Sequence, residues 1–147
     1  MPHTYAQNRV HLVFSTKNRV KAIPKALQPK LWAFIAGICR NHEIVPLQVG
    51  GADDHAHLLV QIPATLTLAH AVEVIKSNSS RWTREQKVRC GWQQGYAAFS
   101  VSASSIPAVA RYIQNQEAHH KKMNFEEEWF ALLKKHGIEF DSRYALG

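Results

Sequence analysis

The chain has 147 residues, of which 46% are hydrophobic and 20% are charged. This length and composition predict one folded domain spanning residues 1–147 and exclude a disordered or low-complexity chain. No apolar run approaches the ~20 residues that cross a bilayer, and the first ten residues lack a signal-peptide pattern, so we expect a cytoplasmic protein without a membrane partner. Cys39 and Cys90 are predicted to be free thiols.

The first half of the chain predicts strand, helix and hairpin in succession. Residues 9–16 alternate as a strand, and residues 25–42 carry apolar side chains at helical spacing. Residues 43–51 form a second strand, in which Pro46 indicates an edge position or a bulge. The Gly-Gly-Ala-Asp-Asp turn that follows makes residues 55–62 the hairpin partner of that strand.

The second half predicts a helix from about Thr67, a strand over residues 96–102 and two further helices. One of these runs from Ser105 to about His120, and the other begins at an Asn124 cap and ends at Gly137. The first six elements match an α+β fold, the ferredoxin-like split βαβ arrangement, in which both main helices cover one face of an antiparallel sheet. We expect the two C-terminal helices to cover or complete the other face.

The net charge of +7 favours a polyanionic partner. Basic residues are interleaved with tryptophans, which suits a nucleic-acid strand because cations contact phosphates while rings stack on unpaired bases. A solvated basic face over core tryptophans explains the charge equally well. The candidate DNA contacts are Lys17, Asn18, Arg19, Arg81, Trp82 and Arg84.

Two histidines, His55 and His57, begin the strand predicted over residues 55–62. Side chains alternate between faces along a strand, so both imidazoles point away from the face that carries Ala56 and the other apolar residues. Their Cα atoms are roughly 7 Å apart, a separation at which two imidazoles can bind one cation. Such a pair is a weak signal by itself. His11 could face either way, and His42, His70 and His136 are interpreted as ordinary helix or terminal histidines.

A second group of polar residues lies on the predicted helix 105–120. Tyr112 and Gln116 are four residues apart and therefore share one face of that helix, with His119 and His120 one turn further on. This face could be directed at the sheet. A half-buried tyrosine beside a solvated glutamine is the simpler alternative for this helix considered alone.

The segments RVHLVFSTKNR, GGADDHAHLLV, GYAAFSVS and YIQNQEAHH, in this order and spacing, resemble the small single-tyrosine transposases of the HUH nuclease superfamily. Members of that family move hairpin-ended bacterial insertion sequences as single strands. The resemblance covers nearly the whole chain. It implies that His55 and His57 are metal ligands separated by the hydrophobic residue Ala56, that Tyr112 is the catalytic nucleophile and that Gln116 is the third ligand.

The same resemblance implies partners and a cofactor. The partners are single-stranded DNA with hairpin-containing ends and a second copy of the chain, because the tyrosine helix of one subunit commonly acts in the other. A homodimer with such trans sites is compatible with the sequence. The cofactor is a divalent metal, Mg²⁺ or Mn²⁺, although imidazole ligands alone would suit zinc, copper or nickel. No nucleotide cofactor is expected, since tyrosine transesterification conserves the bond energy.

Two alternatives compete with this interpretation. A non-catalytic single-stranded nucleic-acid-binding module would explain the charge and the tryptophans, but it gives His55, His57 and Gln116 no role. A zinc-type metal-dependent hydrolase would join His119 or His120 to the histidine pair and use water as the nucleophile.

Overall fold

The computed structural model describes residues 3–147, and its strands form one four-stranded antiparallel sheet. The strands are β1 (Arg9–Ser15), β2 (Val45–Gly51), β3 (His55–Gln61) and β4 (Ala97–Ser100). Their order across the sheet is β2-β3-β1-β4. This is the strand order of the ferredoxin-like fold, so the predicted fold class is confirmed.

Five helices accompany the sheet over the described part of the chain. They are α1 (Gln28–Asn41), α2 (Leu68–Glu85), α3 (Ile106–Gln114), α4 (Gln116–His119) and α5 (Phe125–Lys135). The predicted cap at Asn124 is confirmed, because Asn124 forms a capping box with Glu127. The helix predicted from about Thr67 begins there, and the Thr67 side chain accepts a hydrogen bond from the His70 N–H. Ser105 precedes α3 as predicted but makes no capping hydrogen bond through its side chain. Among the described residues, no helix is both long enough and apolar enough to cross a bilayer.

Two predicted helix boundaries were wrong. The first helix begins at Gln28, because Pro29 fixes the first helical turn and the preceding residues form turns. The helix predicted to continue to about His120 ends at Gln114, because Asn115 adopts φ −95° and ψ 19° and a separate short helix follows. The prediction for Pro46 is confirmed, since β2 lies at the sheet edge and its pairing with β3 shifts between Pro46 and Gln48.

The two faces of the sheet are covered by different helices of the same chain. On one face, Ala56 and Leu58 of β3 pack with residues of α1 and α2 such as Ile35 and Ile75. On the other face, residues of β1 and β4 pack against α5, and α3 crosses β2 and β3. The C-terminal helices therefore cover the second face, as predicted. Cys39 and Cys90 are buried free thiols.

The turn before β3 requires glycine at position 51. A Cβ atom there would lie 2.2 Å from the carbonyl oxygen of His55, at a backbone φ of +157°. We expect Gly51→Ala to lower the free energy of unfolding by more than about 1 kcal/mol, because backbone must move to admit the methyl group. Gly37→Ala, in the interior of α1 with no atom within 4 Å of its Cβ, should raise it by about 0.5–1 kcal/mol.

Urea denaturation of the two variants beside the unaltered protein provides the measurement. Equal stability of Gly51→Ala and the unaltered chain would contradict the geometry of the turn that positions His55.

Candidate active site

The strand pairing brings three histidines together on the face covered by α3 and α5. His55 and His57 are fully buried, and His11 of β1 is 4% exposed. Because β1 and β3 pair antiparallel with Val13 opposite His57, the His11 ring reaches its neighbour diagonally, and its Nε2 lies 2.8 Å from Nδ1 of His57. His11 thus joins the histidine pair on the second face.

The ends of α3 and α4 carry the other two predicted residues to the same place. The ring centroids of Tyr112 and His57 are 5.7 Å apart. Gln116 is buried, and its Oε1 lies 3.0 Å from Nε2 of His55. The break at Asn115 does not separate the two side chains, because the Gln116 amide still donates to the Tyr112 carbonyl. All four predicted site residues therefore meet within one chain.

The centre of this group is the buried carboxylate of Glu128, on α5. Its Oε1 accepts hydrogen bonds from Nε2 of His57 and Nε2 of His120, both at 3.0 Å. Its Oε2 accepts from the Gln116 amide at 3.2 Å and from the hydroxyl of Tyr112. The side chain is 1% exposed. Glu128 therefore links the histidines, the glutamine and the tyrosine.

Sequence reasoning missed Glu128 because its surroundings suggest a different role. It follows Glu126 and Glu127 in the first turn of α5, where acidic residues stabilise a helix N-terminus. One signal could have found it. With Phe125 and Trp129 it lies on the apolar stripe of α5 at helical spacing, and an ionisable residue on such a stripe must find polar partners inside the protein.

Burial and hydrogen bonding set the charges in the site. Burial alone would raise the pKa of Glu128, but hydrogen bonds from His120 and His57 hold it well below its usual range, so the carboxylate is ionised. Burial lowers the pKa of His57 to about 4, against the opposing effect of Glu128. Burial, followed by the nearby charge of Glu128, raises the pKa of Tyr112 well above its usual range. The tyrosine is therefore held as a neutral phenol.

His55 supplies the clearest indication of a cation site. Its Nδ1 lies 2.7 Å from the carboxylate of Asp54, to which it donates. Its Nε2 lies 3.0 Å from Oε1 of Gln116 and 3.5 Å from Oε1 of Glu128. One ring nitrogen and two oxygens that converge in this way are a donor set that suits a divalent cation. A carboxylate behind a ligating histidine is also typical of metal sites.

Four potential ligand atoms lie within 4.8 Å of one another, and we call these residues the His–Glu cluster: His55, His57, His120 and Glu128. Imidazole nitrogens and a carboxylate oxygen are ligands of divalent metals, with Gln116 as a further oxygen donor beside them. The residues present therefore fit a divalent cation. Nε2 of His11 contacts Nδ1 of His57, the ring nitrogen that faces away from the cluster.

Most of the chain, including the strand histidines and the tyrosine, matches a known protein family. Residues 4–116 match the family model described as Transposase IS200 like, which is more than half of the chain. The chain belongs to the IS200-like transposase family. The matched segment contains His55, His57, Tyr112 and Gln116, and it ends before His120 and Glu128.

Relatives of this transposase agree with that assignment. The transposase for insertion sequence element IS200 from Salmonella typhimurium is 23% identical over 124 residues, which are 79% of this chain and 81% of the relative. A crystal structure assigned as a transposase from Deinococcus radiodurans R1 superposes with a TM-score of 0.63 at 18% identity, over 79% of this chain and 95% of its own. A REP-associated tyrosine transposase bound to a REP hairpin gives 0.61 at 13% identity, over 95% and 87%.

The predicted DNA contacts lie outside the cluster. Lys17 and Asn18 are exposed on a short 3₁₀ turn after β1, and the guanidinium of Arg19 donates to the Leu146 carbonyl at 3.1 Å. Arg81, Trp82 and Arg84 are on α2, across the sheet from Tyr112. Trp82 stacks on Phe34 with centroids 4.9 Å apart and packs against the core, so its ring faces protein. A DNA-binding role for these six residues stays a prediction.

The buried histidines make the stability of the metal-free transposase pH-dependent. An unfolded His57 takes up a proton near its ordinary pKa of 6.5, whereas the folded imidazole stays neutral down to about pH 4. Between these values the unfolded chain binds more protons, so we expect stability to fall as pH falls, by about 1.4 kcal/mol per pH unit for one proton.

Urea denaturation in chelator at intervals from pH 7 to pH 4.5 tests this. His42→Gln removes an exposed histidine and should leave the slope unchanged. A stability that stays constant from pH 7 to pH 5 would contradict a neutral, buried His57.

Proposed function

We propose that this transposase is a metal-dependent single-strand DNA endonuclease and strand-transfer enzyme whose nucleophile is Tyr112. One observation carries the proposal: the Tyr112 hydroxyl donates to Glu128, the same carboxylate that His57 and His120 contact. A tyrosine hydroxyl, a cation site and a proton acceptor are thereby adjacent. A non-catalytic binding module would have no need for this buried, charged arrangement.

The substrate in this proposal is single-stranded DNA, with hairpin-containing element ends. The net charge of +7 provides the general attraction to phosphates. A structural relative at a TM-score of 0.61 is described as bound to a REP hairpin, and we extend that partner class to this chain.

The proposed reaction is a transesterification. The Tyr112 oxygen attacks a phosphodiester, a bond forms between that oxygen and phosphorus, and the bond from phosphorus to the 3′ oxygen breaks. The products are a 5′-phosphotyrosine and a strand with a free 3′ hydroxyl, which can later attack the adduct to rejoin DNA. The phenol proton is hydrogen-bonded to Oε2 of Glu128, which makes that oxygen its nearest acceptor.

His55, His57, Gln116 and Glu128 would hold the metal, for which we propose Mg²⁺ or Mn²⁺ because two of the donors are oxygen atoms. When bound, the ion supplies positive charge at the phosphate and so stabilises the charge that develops there during attack. The high pKa of Tyr112 explains why such help is needed, since a phenol beside an anionic carboxylate is a poor nucleophile.

The site is complete within one chain in this arrangement, so we propose a cis tyrosine rather than one supplied by a partner. The homodimer remains part of the proposal for a separate reason. Each chain offers one Tyr112 near its own histidines, and excision of an element requires cleavage at two ends.

One observation favours a second candidate, a metal-dependent phosphodiester hydrolase. His120 brings a third imidazole to the His–Glu cluster, and three histidines with one open position are typical of zinc enzymes that activate water. The products separate the two functions, because hydrolysis leaves free DNA whereas tyrosine attack leaves DNA covalently bound to protein.

We expect a denaturing gel to resolve a slow protein–DNA band when the protein is incubated with Mn²⁺ and labelled single-stranded oligonucleotides from the DNA flanking its gene. Tyr112→Phe should abolish the band, because phenylalanine has no nucleophilic oxygen. Tyr144→Phe, which removes the hydroxyl of an exposed tyrosine, should leave it unchanged. Cleavage that persists in Tyr112→Phe would favour the hydrolase.

Glu128→Gln should reduce adduct formation at saturating Mn²⁺ by about 10² or more, because it removes both the proton acceptor and an anionic ligand. It should also weaken Mn²⁺ binding measured by calorimetry. Glu126→Gln is the matched control, since that carboxylate lies two residues away and is exposed. If both variants kept full activity, Glu128 would be a structural residue only.

A further inference from the structure

A cavity of about 540 Å³ is lined in part by Tyr112, and the proposed chemistry leaves it unused. We call it the aromatic cavity; it is formed by the end of β4, by α3 and by α5. Its walls include Phe99, Ser102, Ala108, Tyr112, Leu132 and His136. Because Tyr112 is part of the wall, a group bound in the cavity lies beside the proposed nucleophile.

Two stacked rings line the aromatic cavity. Phe99 is buried and is covered by the exposed ring of His136, with centroids 4.1 Å apart and an angle of 14° between planes, so His136 is the ring that offers a face to a base. Partial burial and the neighbouring charge of Lys135 lower the pKa of His136, which keeps the ring neutral at pH 7. Stacked, uncharged rings of this kind bind unpaired nucleobases without strong sequence preference.

The rim of the aromatic cavity offers polar groups at its exposed side. The hydroxyl of Ser102 donates to that of Ser105 at 3.1 Å, and both serines line the cavity. Such hydroxyls can exchange hydrogen bonds with the edge of a base. Lys135 also lines this cavity, and its positive charge favours a neighbouring phosphate.

A second cavity, of about 460 Å³, adjoins the cluster at His120 and has a different character. It is lined by three lysines and three carboxylates: Lys21, Lys25, Lys121, Asp53, Asp54 and Glu117. Charged walls of both signs suit a solvated sugar–phosphate backbone rather than a base. One cavity is thus lined by Tyr112 and the other by His120, and both of these residues contact Glu128.

We propose that the aromatic cavity binds one unstacked nucleobase of the DNA single strand, next to the phosphate that Tyr112 attacks. This inference rests on the proposed function and adds a binding site to it. Inserting the base beside the phenol fixes the adjacent phosphate against the cluster. An unpaired nucleotide can turn its base into a cavity without the cost of breaking a base pair, so the site also favours single-stranded over duplex DNA.

Two measurements test the cavity through binding, independently of cleavage. Single-stranded oligonucleotides from the DNA flanking the gene are made with one abasic position each and titrated with Tyr112→Phe protein by fluorescence anisotropy. Loss of the base that occupies the cavity should weaken binding about tenfold, the scale of one base–aromatic stack. Ala108→Leu, which fills the cavity, should weaken binding of the intact strand by a similar factor.

The two effects should not add, because each removes the same contact. On the strand that lacks the base bound in the cavity, protein with Ala108→Leu and protein with Ala108 should therefore bind equally well. Ala131→Leu, an exposed position of α5 outside the cavity walls, is the matched control and should bind like the unaltered chain. An even response at every abasic position, or Ala108→Leu binding like the control, would overturn the inference.

The experiments distinguish an incorrect base-binding site from an incorrect tyrosine mechanism. A tyrosine adduct in the unaltered chain together with an even abasic scan would leave the chemistry intact and reject the cavity. Absence of any adduct together with a single base-dependent, Ala108-dependent position would support the cavity and reject the nucleophile. A chain that binds no single strand would reject both.

Discussion

The burial of one carboxylate, that of Glu128, is the constraint on which the rest of the site depends. An ionised carboxylate that is 1% exposed must have its lone pairs satisfied by the protein. Donors come from three directions: His57 on the sheet, Tyr112 and Gln116 on the crossing helices, and His120 after them. The same contacts that make its burial tolerable also place a phenol and an amide beside the histidines.

The two faces of the sheet are covered by different helices and carry different side chains. On the face under α1 and α2, the side chains of β1 and β3 are apolar and the packing stabilises the domain. On the face under α3 and α5, an apolar cluster around Phe125 and Trp129 fixes α5, so Glu128 is held among imidazoles. Apolar packing occurs on both faces, and the polar site lies on the face under α3 and α5.

Much of the fold could be predicted from the sequence, because apolar periodicity and turn chemistry report local structure directly. The alternation that places Ala56 in the core and His55 and His57 opposite it is confirmed. The break at Asn115 was missed, since no glycine or proline marks it. His11 could not be assigned to a face until the register of β1 against β3 was known.

The residues of the site likewise differ in whether the sequence could predict them. Tyr112 and Gln116 could be paired because four residues make one helical turn, and the histidines because two residues share a strand face. Glu128 reaches the cluster only through the return of α5 across the sheet, and contacts of that kind leave little local pattern. His120 lies one turn beyond Gln116, and the hydrolase alternative joins His119 or His120 to the histidine pair. His136 was interpreted as an ordinary terminal histidine, and its stacking on Phe99 likewise depends on where α5 ends.

We propose that the histidine pair and the tyrosine of one chain act as one site around Glu128. Mixing Tyr112→Phe protein with His57→Ala protein, and assaying adduct formation with Mn²⁺ and single-stranded DNA, tests this most directly. Each variant retains what the other lacks, so a site shared between chains would regain activity in the mixture. We expect no adduct in the mixture, although the unaltered chain forms it. Adduct restored on the His57→Ala chain would contradict a site formed within one chain.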